Sequence, residues 1–455
     1  MNAPSKGYTL DFIRSMLTEK SGRVSGSFKD LQIKTAFQPV FSLPHKRAIG
    51  FDASLRSINS DGKPVAAEKL FAQTENYAET SLLDLLCTTI HVHNFTAGWK
   101  SPGLLFLNLH PEVFLDSELT SEFLVNLFSH FHVPEGSLVI DIPGAVLRDE
   151  RLSAQLDRYR QLGCLISVDD FGEDNSDLDT IWDSTPAVVK MSRSVIADAT
   201  MDKRAQQALP RVISLLHEMG TLVLMEGVET ETEARIAIDA DADFACGFFF
   251  GRSYEDPAAY VEPTSLLRHV WSTYKTELVK TKPKNPTARA LLAAESLHSS
   301  KVRKLRAASP AEINRYREAR RPYITAIQRG ASLVKSGEQF DSACKEFLSL
   351  PGAISCHMLN ADGRQIGGIV NSRHPPAAQS MNFSSLAAPA DADWSRREYF
   401  RRALNGPEIA QVTRQYCSLG GHTHCVTFSV ATTLQGESIV VCGDVDWTSH
   451  TRDDT

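Results

Sequence analysis

Two adjacent carboxylates, Asp169 and Asp170, follow the short apolar run 165–168 and precede Phe171 and Gly172. A short apolar run with β-branched residues suits a strand that is covered on both faces. Paired aspartates at the end of such a strand cost free energy unless a cation or another partner compensates them. A single Asp-Asp pair is better explained as a solvated turn, so the rest of the chain decides between turn and site.

The same pattern of apolar run and polar residue recurs between about residues 35 and 251. The polar side chains that follow or end these runs are Asp52, Asn108, Asp141, Lys190 and Glu226. Carboxylate and amide oxygens are ligands of hard divalent cations, and a lysine adds positive charge. The set therefore indicates a divalent metal site that acts on a phosphate-containing substrate.

The elements that position these residues alternate along the chain. Segments with helical periodicity, such as 147–162 and 210–219, separate the apolar runs. Strands that alternate with helices predict a parallel sheet, and seven or eight such units predict a closed (β/α)8, TIM-like barrel. In that α/β fold the functional groups lie at the carboxyl ends of the strands, where the polar residues stand.

The residues around these strand ends resemble the motifs of the EAL family, whose members hydrolyse cyclic di-GMP or bind it as receptors in bacterial signalling. The resemblance covers about residues 30–255. The segments that carry it are 37–40 (Phe-Gln-Pro-Val), 50–56 (Gly-Phe-Asp-Ala-Ser-Leu-Arg), 107–109 (Leu-Asn-Leu), 169–172 (Asp-Asp-Phe-Gly), 189–191 (Val-Lys-Met) and 226–230 (Glu-Gly-Val-Glu-Thr).

The resemblance implies a role for each matching residue. The implied metal ligands, for Mg²⁺ or Mn²⁺ if any ion is bound, are Asp52, Asn108, Asp141, Asp169 and Asp170. Lys190 and Glu226 would serve the reaction centre. Gln38, Arg56 and Glu229 would contact cyclic di-GMP, with Arg56 on a phosphate.

The departures from the family pattern fall on metal and loop positions. Asp52 and Asp141 each stand where the family has a glutamate, which retracts the carboxylate by about 1.5 Å, whereas metal–ligand distances tolerate about ±0.2 Å. Gly144 replaces a glutamate that anchors the loop after Asp170, and residues 173–177 of that loop are also changed. The remaining substitutions are Ser192 for an aspartate and Cys246 for a glutamine.

These departures favour a catalytically degenerate receptor of cyclic di-GMP. Two alternatives remain open: a slow phosphodiesterase that depends on Mg²⁺ or Mn²⁺, and a nucleotide-independent protein-interaction module. The degenerate receptor retains Gln38, Arg56 and Glu229, which is the reason for preferring it.

Length and composition predict several domains in a cytoplasmic protein. The chain has 455 residues, a formal net charge of -7 and eight scattered cysteines, which indicate two or three domains, reduced thiols and no nucleic-acid partner. The chain contains no run of 18 apolar residues, so no membrane span is predicted. The expected domains are an N-terminal helix and linker (1–29), the barrel (30–255), connecting helices and linker (256–338) and a small sensor domain (339–455).

The basic stretch 287–335 could bind RNA or an acidic partner, although a solvated connecting helix, divided or kinked at Pro310 and Pro322, explains it better. Cys417, His422, His424 and Cys425 could hold zinc, although a β-hairpin turning at residues 420–421 is favoured because the spacing matches no closed zinc pattern.

The last domain has the strand pattern of a small α+β fold. Residues 394–400 and 443–446 resemble PAS-like domains of the Cache type. That resemblance implies that Arg397 and Tyr399 bind the carboxylate, and Asp444 the ammonium, of an unknown small ligand. A dimerisation platform is the alternative, and a homodimer or a protein partner is expected.

Overall fold

The computed structural model describes residues 8–98, 103–142, 146–173, 178–262, 269–270, 310–373, 392–413, 416 and 425–447. Gly144, loop residues 174–177, residues 287–309 of the basic stretch and residues 417–424 of the suggested zinc set lie outside these ranges. No described helix is both long enough and apolar enough to cross a membrane.

Eight strands close into the barrel that the alternation of elements predicted. Around the barrel their order is β3-β11-β10-β9-β8-β7-β6-β4, and a β3–β4 pairing closes the ring. Three short strands extend the sheet outside the ring. The strand bounds are β1 Thr18–Lys20, β2 Arg23–Phe28, β3 Leu31–Ser42, β4 Arg47–Ile58, β5 Pro64–Val65, β6 Leu104–Asn108, β7 Leu138–Ile142, β8 Leu165–Phe171, β9 Val188–Met191, β10 Leu222–Met225 and β11 Phe244–Cys246.

Helices follow most of the barrel strands and cover their outer face. Their bounds are Leu10–Ser15, Ala67–Phe71, Tyr77–Gly98, Pro111–Phe114, Ser117–Phe131, Leu152–Gln161, Leu178–Ser184, Arg193–Met201, Lys203–Glu218 and Glu231–Asp239, with a 3-10 turn at Pro257–Ala259. Apolar side chains such as Val40, Phe106 and Leu224 fill the barrel interior. The strands are therefore buried on both faces, which explains their continuous apolar runs.

One barrel strand runs against the direction that simple alternation predicts. Strand β3 is antiparallel to both of its neighbours, β4 and β11, whereas β4 and β6 to β11 are parallel to one another. The turn at residues 43–46 joins β3 to β4 and is too short for the crossover that a parallel pair needs. The connection length, rather than the apolar pattern, fixes this direction.

Two expectations about the segments around the barrel were wrong. Residues 18–28 form β1 and β2 instead of a linker, and β2 pairs with β3 through Gly26 and Ile33. The long helix Pro310–Lys335 continues through Pro322, so Pro322 does not divide it, and a kink there stays a prediction.

The C-terminal part is a five-stranded antiparallel sheet of order β13-β12-β16-β15-β14. Its strands are β12 Ala353–Asn360, β13 Gln365–Asn371, β14 Gln411–Val412, β15 Cys425–Leu434 and β16 Glu437–Asp446, and its short helices are Phe340–Ala343, Lys345–Leu348 and Glu398–Asn405. The long helix packs its Tyr323 and Ile327 against one face of the sheet. The helix Glu398–Asn405 covers the other face with Tyr399 and Phe400.

Candidate functional site

Lys190 stands in the centre of the predicted site. Its ammonium on β9 lies within 3.2 Å of four carboxylates that come from four different chain segments. The distances from Lys190 Nζ are 2.8 Å to Asp52, 3.1 Å to Asp141, 3.2 Å to Asp169 and 2.9 Å to Glu226. The structure therefore brings together the residues that the sequence placed at separate strand ends.

Burial and charge act in opposite directions on this cluster. The Lys190 side chain is only 2% exposed, and burial alone would lower its pKa, but the surrounding carboxylates raise the pKa well above its ordinary value. Burial raises the pKa of Asp52 and Asp141 against the effect of Lys190, and raises that of Glu226 to about 7. Four carboxylates exceed what one ammonium neutralises, so the site favours further positive charge.

Three carboxylates at this end fit a divalent cation. Asp169, Asp170 and Glu226 each offer one oxygen, and these oxygens lie within 4.8 Å of one another. All-oxygen ligands of this kind suit Mg²⁺ or Mn²⁺. Asp52 and Asp141 lie outside this set, although they pair with Lys190 as Asp169 and Glu226 do. The buried Oδ1 of Asp141 has no hydrogen-bond partner among the described residues.

A local distortion of β8 presents the paired aspartates. The pairing of β8 with β9 shifts register between Val168 and Phe171, as in a β-bulge, which re-aims side chains next to functional sites. Asp170 has φ 53°, and its amide donates to Asp169 Oδ1 over 2.8 Å. A non-glycine residue in this region costs on the order of 1–3 kcal/mol, so the rest of the strand must hold this conformation.

The amide ligand expected from the sequence is Asn108, the last residue of β6. Asn108 is exposed and pairs in register with Asp141 of β7. Two residues later, the His110 amide donates to Asp84 Oδ1 over 3.0 Å. Asp84 lies on the helix Tyr77–Gly98 and is only 3% exposed, so it fixes the loop that follows Asn108.

The residues expected to contact the nucleotide are arranged in two ways. The side-chain amide of Gln38 already has partners within the protein, because its Nε2 donates to the Gly251 carbonyl and its Oε1 accepts from Ser253 Oγ over 2.8 Å. Arg56 is exposed, and its Nη1 donates to the carbonyl of the preceding Leu55 over 3.3 Å. The guanidinium of Arg56 is thus accessible to a phosphate.

Sequence reasoning missed Arg193 at this end of the barrel. Its Nη2 lies 2.9 Å from Glu229 Oε1, so the expected nucleotide contact Glu229 already has a cationic partner. The signal was available, because Arg193 follows Lys190 by three residues at the end of β9. Ser192, between the strand and Arg193, has its hydroxyl 2.6 Å from that of Ser194.

In the C-terminal domain, the expected place of Arg397 was wrong. Its guanidinium forms an ion pair with Asp243 and lies 3.7 Å from Asp241, both in the barrel, so it does not face a ligand pocket of the sheet. Tyr399 is buried, while Asp444 accepts hydrogen bonds from Thr427 at 2.6 Å and Ser355 at 3.3 Å. A ligand role for Tyr399 and Asp444 stays a prediction.

Comparison with known proteins finds a family for the barrel region. The model of the EAL domain matches residues 22–253. The cyclic di-GMP phosphodiesterase RocR of Pseudomonas aeruginosa is 26% identical over 182 residues, which are 40% of this chain and 46% of that protein. The signaling protein YkoW of Bacillus subtilis is 23% identical over 229 residues, which are 48% of this chain and 27% of that protein.

Among solved structures, the YkuI protein of Bacillus subtilis, with an EAL domain and in complex with substrate c-di-GMP and calcium, has a TM-score of 0.48 at 17% identity. That match covers 92% of this chain and 97% of that chain. The chain spans less than half of the length of the two curated relatives named above.

Proposed function

Since the chain belongs to the EAL domain family, we propose that its barrel is a receptor of cyclic di-GMP with a disabled phosphodiesterase centre. The observation that carries the proposal is the position of Asp52 and Asp141. Neither carboxylate belongs to the set that could share an ion. Both pair with the Lys190 ammonium, at 2.8 Å and 3.1 Å, as Asp169 and Glu226 of that set also do.

A two-metal phosphodiesterase holds its ions about 3.5–4 Å apart, and the first ion can use the oxygens of Asp169, Asp170 and Glu226. A second ion would need Asp52 and Asp141. Each of these is about 1.5 Å shorter than the glutamate of the family pattern. Since Lys190 contacts Asp169 and Glu226 as well as Asp52 and Asp141, the shortened side chains, and not the ammonium, distinguish the second ion position from the first.

The chain's own residues can still hold a nucleotide. Arg56 offers an exposed guanidinium, which forms strong charge-assisted hydrogen bonds with phosphate. Ser253 and the Gly251 carbonyl orient the Gln38 side-chain amide. Gln38 lies directly opposite Asp52 on the neighbouring strands β3 and β4. An Mg²⁺ or Mn²⁺ ion on Asp169, Asp170 and Glu226 would supply positive charge beside the ligand phosphate.

The set Asp169, Asp170 and Glu226 also favours a second candidate, a slow phosphodiesterase dependent on Mg²⁺ or Mn²⁺. Titration calorimetry with cyclic di-GMP, followed by chromatography for the linear dinucleotide in Mg²⁺ and in Mn²⁺, separates the candidates. We expect binding without turnover. Turnover would establish the slow enzyme, and an absence of binding under all metal conditions would leave the nucleotide-independent interaction module.

Replacing Arg56 by alanine is expected to weaken cyclic di-GMP binding by about 1.5–3 kcal/mol, the range for a hydrogen bond to a charged group. That loss corresponds to a roughly 10- to 150-fold higher Kd. Calorimetry measures it, with Arg211→Ala as the control because Arg211 is an exposed arginine on the outer helix Lys203–Glu218. Equal affinities of the Arg56 variant and the control would remove Arg56 from the binding site.

Restoring both glutamates, by Asp52→Glu with Asp141→Glu, is expected not to give full phosphodiesterase activity. The loop after Asp170 still lacks the family's glutamate at Gly144 and its usual sequence at residues 173–177. Initial rates of cyclic di-GMP hydrolysis in Mg²⁺ and in Mn²⁺ measure the outcome. Robust hydrolysis by the double variant would show that the two shortened carboxylates alone disable the centre.

We further propose that the C-terminal domain is a PAS-like sensor of a small ligand, with Tyr399 and Asp444 as its remaining candidate contacts. A homodimer or a protein partner would receive the signal. The seven described cysteines are all free and buried, which supports the proposal of a reducing, cytoplasmic location.

A further inference from the structure

The segment that precedes and opens the helix Glu398–Asn405 lies against the base of the barrel, opposite the carboxylate cluster. The Asp393 amide donates to the Pro44 carbonyl over 3.0 Å, and its carboxylate pairs with Lys46 at 2.9 Å. Pro44 and Lys46 belong to the turn between β3 and β4, where β4 begins. The C-terminal domain is therefore joined to the barrel by hydrogen bonds and charge at this turn.

Two adjacent arginines extend this contact to the loop before β11. Arg396 Nη1 donates to the carbonyls of Ile238 and Ala242, at 3.3 Å and 3.2 Å. The neighbouring Arg397 pairs with Asp243 and lies 3.7 Å from Asp241. Both arginines are more than nine-tenths buried, so this contact is part of the interior rather than a loose surface pair.

Asp243 depends on partners from both domains. The residue is completely buried; its Oδ2 lies 2.7 Å from His217 Nε2 and accepts from the Val223 amide over 2.9 Å. Burial raises the pKa of Asp243, but the charges of His217 and Arg397 together hold it well below its ordinary value. A buried carboxylate that loses one of its cations is costly, so Arg397 completes a network that belongs to the barrel.

Trp394 joins one apolar cluster of the barrel to one of the C-terminal domain. Its ring packs against the barrel-interior cluster that contains Val40, Leu224 and Phe244, and also against the cluster on the outer face of the C-terminal sheet that contains Tyr399. The His45 ring stands edge-on to it, with the ring centroids 5.7 Å apart. A single side chain is thus shared by an apolar cluster of each domain.

We propose that Trp394, Arg396 and Arg397 form a latch that makes the barrel and the C-terminal sheet one cooperative unit and transmits the state of the C-terminal domain to the barrel. The latch reaches the site along two rigid strands. Asp243 immediately precedes β11 and binds the Val223 amide of β10. Strand β10 ends at Met225, directly before Glu226, so a displacement at the base moves a carboxylate of the cluster.

The latch is tested first without any ligand, by differential scanning calorimetry of the full chain. The unmodified protein is expected to unfold in one transition, and the double variant Trp394→Ala with Arg397→Met in two. Lys345→Met, which removes an exposed charge from the short helix Lys345–Leu348 of the same domain, is the control and should retain one transition. Two transitions in the unmodified protein, or one unshifted transition in the double variant, would overturn the latch.

A milder variant covers the case in which the double variant does not fold. Lys46→Met removes the ion pair with Asp393 at the edge of the contact, where the Lys46 side chain is 25% exposed. Hydrogen exchange of β10, β11 and residues 392–405 is expected to accelerate on the order of tenfold, equivalent to about 1.4 kcal/mol. Unchanged exchange in these segments would contradict a shared unit.

The transmission to the barrel site rests on the proposed function, and cyclic di-GMP is its probe. Saturating nucleotide is expected to slow hydrogen exchange in residues 392–405 of the unmodified chain and not in Arg397→Met. If the nucleotide binds but slows the hydrogen exchange of residues 392–405 equally in both proteins, or in neither, the proposed transmission is overturned. If cyclic di-GMP does not bind, the proposed function fails, and the ligand-free calorimetry still decides whether the latch exists.

Discussion

Replacing Lys190 by methionine is expected to lower the free energy of unfolding by about 3–5 kcal/mol at neutral pH, the cost of removing one partner from a buried ion pair. The variant leaves Asp52, Asp141, Asp169 and Glu226 facing one another without the ammonium that lies within 3.2 Å of each. Methionine is unbranched and only one heavy atom shorter than lysine, so the loss reports charge more than volume. Urea denaturation followed by circular dichroism measures it.

The loss should depend on pH in a defined direction. Burial raises the pKa values of Asp52, Asp141 and Glu226 while Lys190 lowers them, so without Lys190 these three pKa values rise further above their unfolded values. When the pKa of a carboxyl is higher in the folded protein than in the unfolded chain, its ionisation lowers the free energy of unfolding. The loss begins as pH rises above the pKa in the unfolded chain and is complete above the pKa in the folded protein. Since the pKa of Glu226 is already about 7 with Lys190 present, the deficit of the variant should be larger at pH 8 than at pH 5.5.

Lys335→Met is the matched control for this experiment. Lys335 pairs with Glu408 at 2.9 Å, but both side chains are 51% exposed, and exposed pairs contribute about 0–1 kcal/mol. Mn²⁺ should stabilise Lys190→Met more than the unmodified protein, because the ion can replace the missing charge. A loss no greater than that of Lys335→Met would mean that the carboxylates are protonated or solvated and do not need Lys190.

The barrel and its cluster were predictable because they follow from local patterns. Each strand is a short apolar run, each run ends at a polar residue, and a closed parallel arrangement brings such ends together. The sequence therefore indicated Lys190 and its carboxylates as one group. It did not reveal that Lys190 contacts all four at once, since that depends on how far each side chain reaches into the barrel.

The contacts at the base of the barrel were not predictable in the same way. Arg397 and Asp243 are separated by 154 positions, and no periodicity relates them. Residues 394–400 resembled a ligand-binding motif, so the arginine was interpreted as a ligand contact, whereas its partner is a buried carboxylate of another domain. The direction of β3 was missed for a different reason. The apolar pattern of a buried strand does not show whether that strand runs parallel or antiparallel to its neighbours.

Asp84→Asn is expected to stabilise the protein at alkaline pH. Asp84 is 3% exposed, its Oδ2 has no hydrogen-bond partner in the described part of the chain, and burial raises its pKa to about 7. Ionisation of Asp84 therefore lowers the free energy of unfolding progressively as pH rises from about 4 to 7, and the loss persists above pH 7. Asparagine does not ionise and keeps a carbonyl oxygen for the His110 amide. At about 1.36 kcal/mol per pKa unit, the gain at pH 8 is at most roughly 4 kcal/mol.

Thermal unfolding at pH 5 and pH 8 measures this gain, which should be larger at pH 8 because the carboxyl of the unmodified protein is then ionised. Asp84→Ala separates charge from hydrogen bonding, since it removes the charge but also leaves the His110 amide without the acceptor at 3.0 Å. Alanine should therefore stabilise less than asparagine and loosen the loop after Asn108. If asparagine gave the same stability as aspartate at both pH values, the Asp84 carboxyl would be neutral, or solvated, across the whole range.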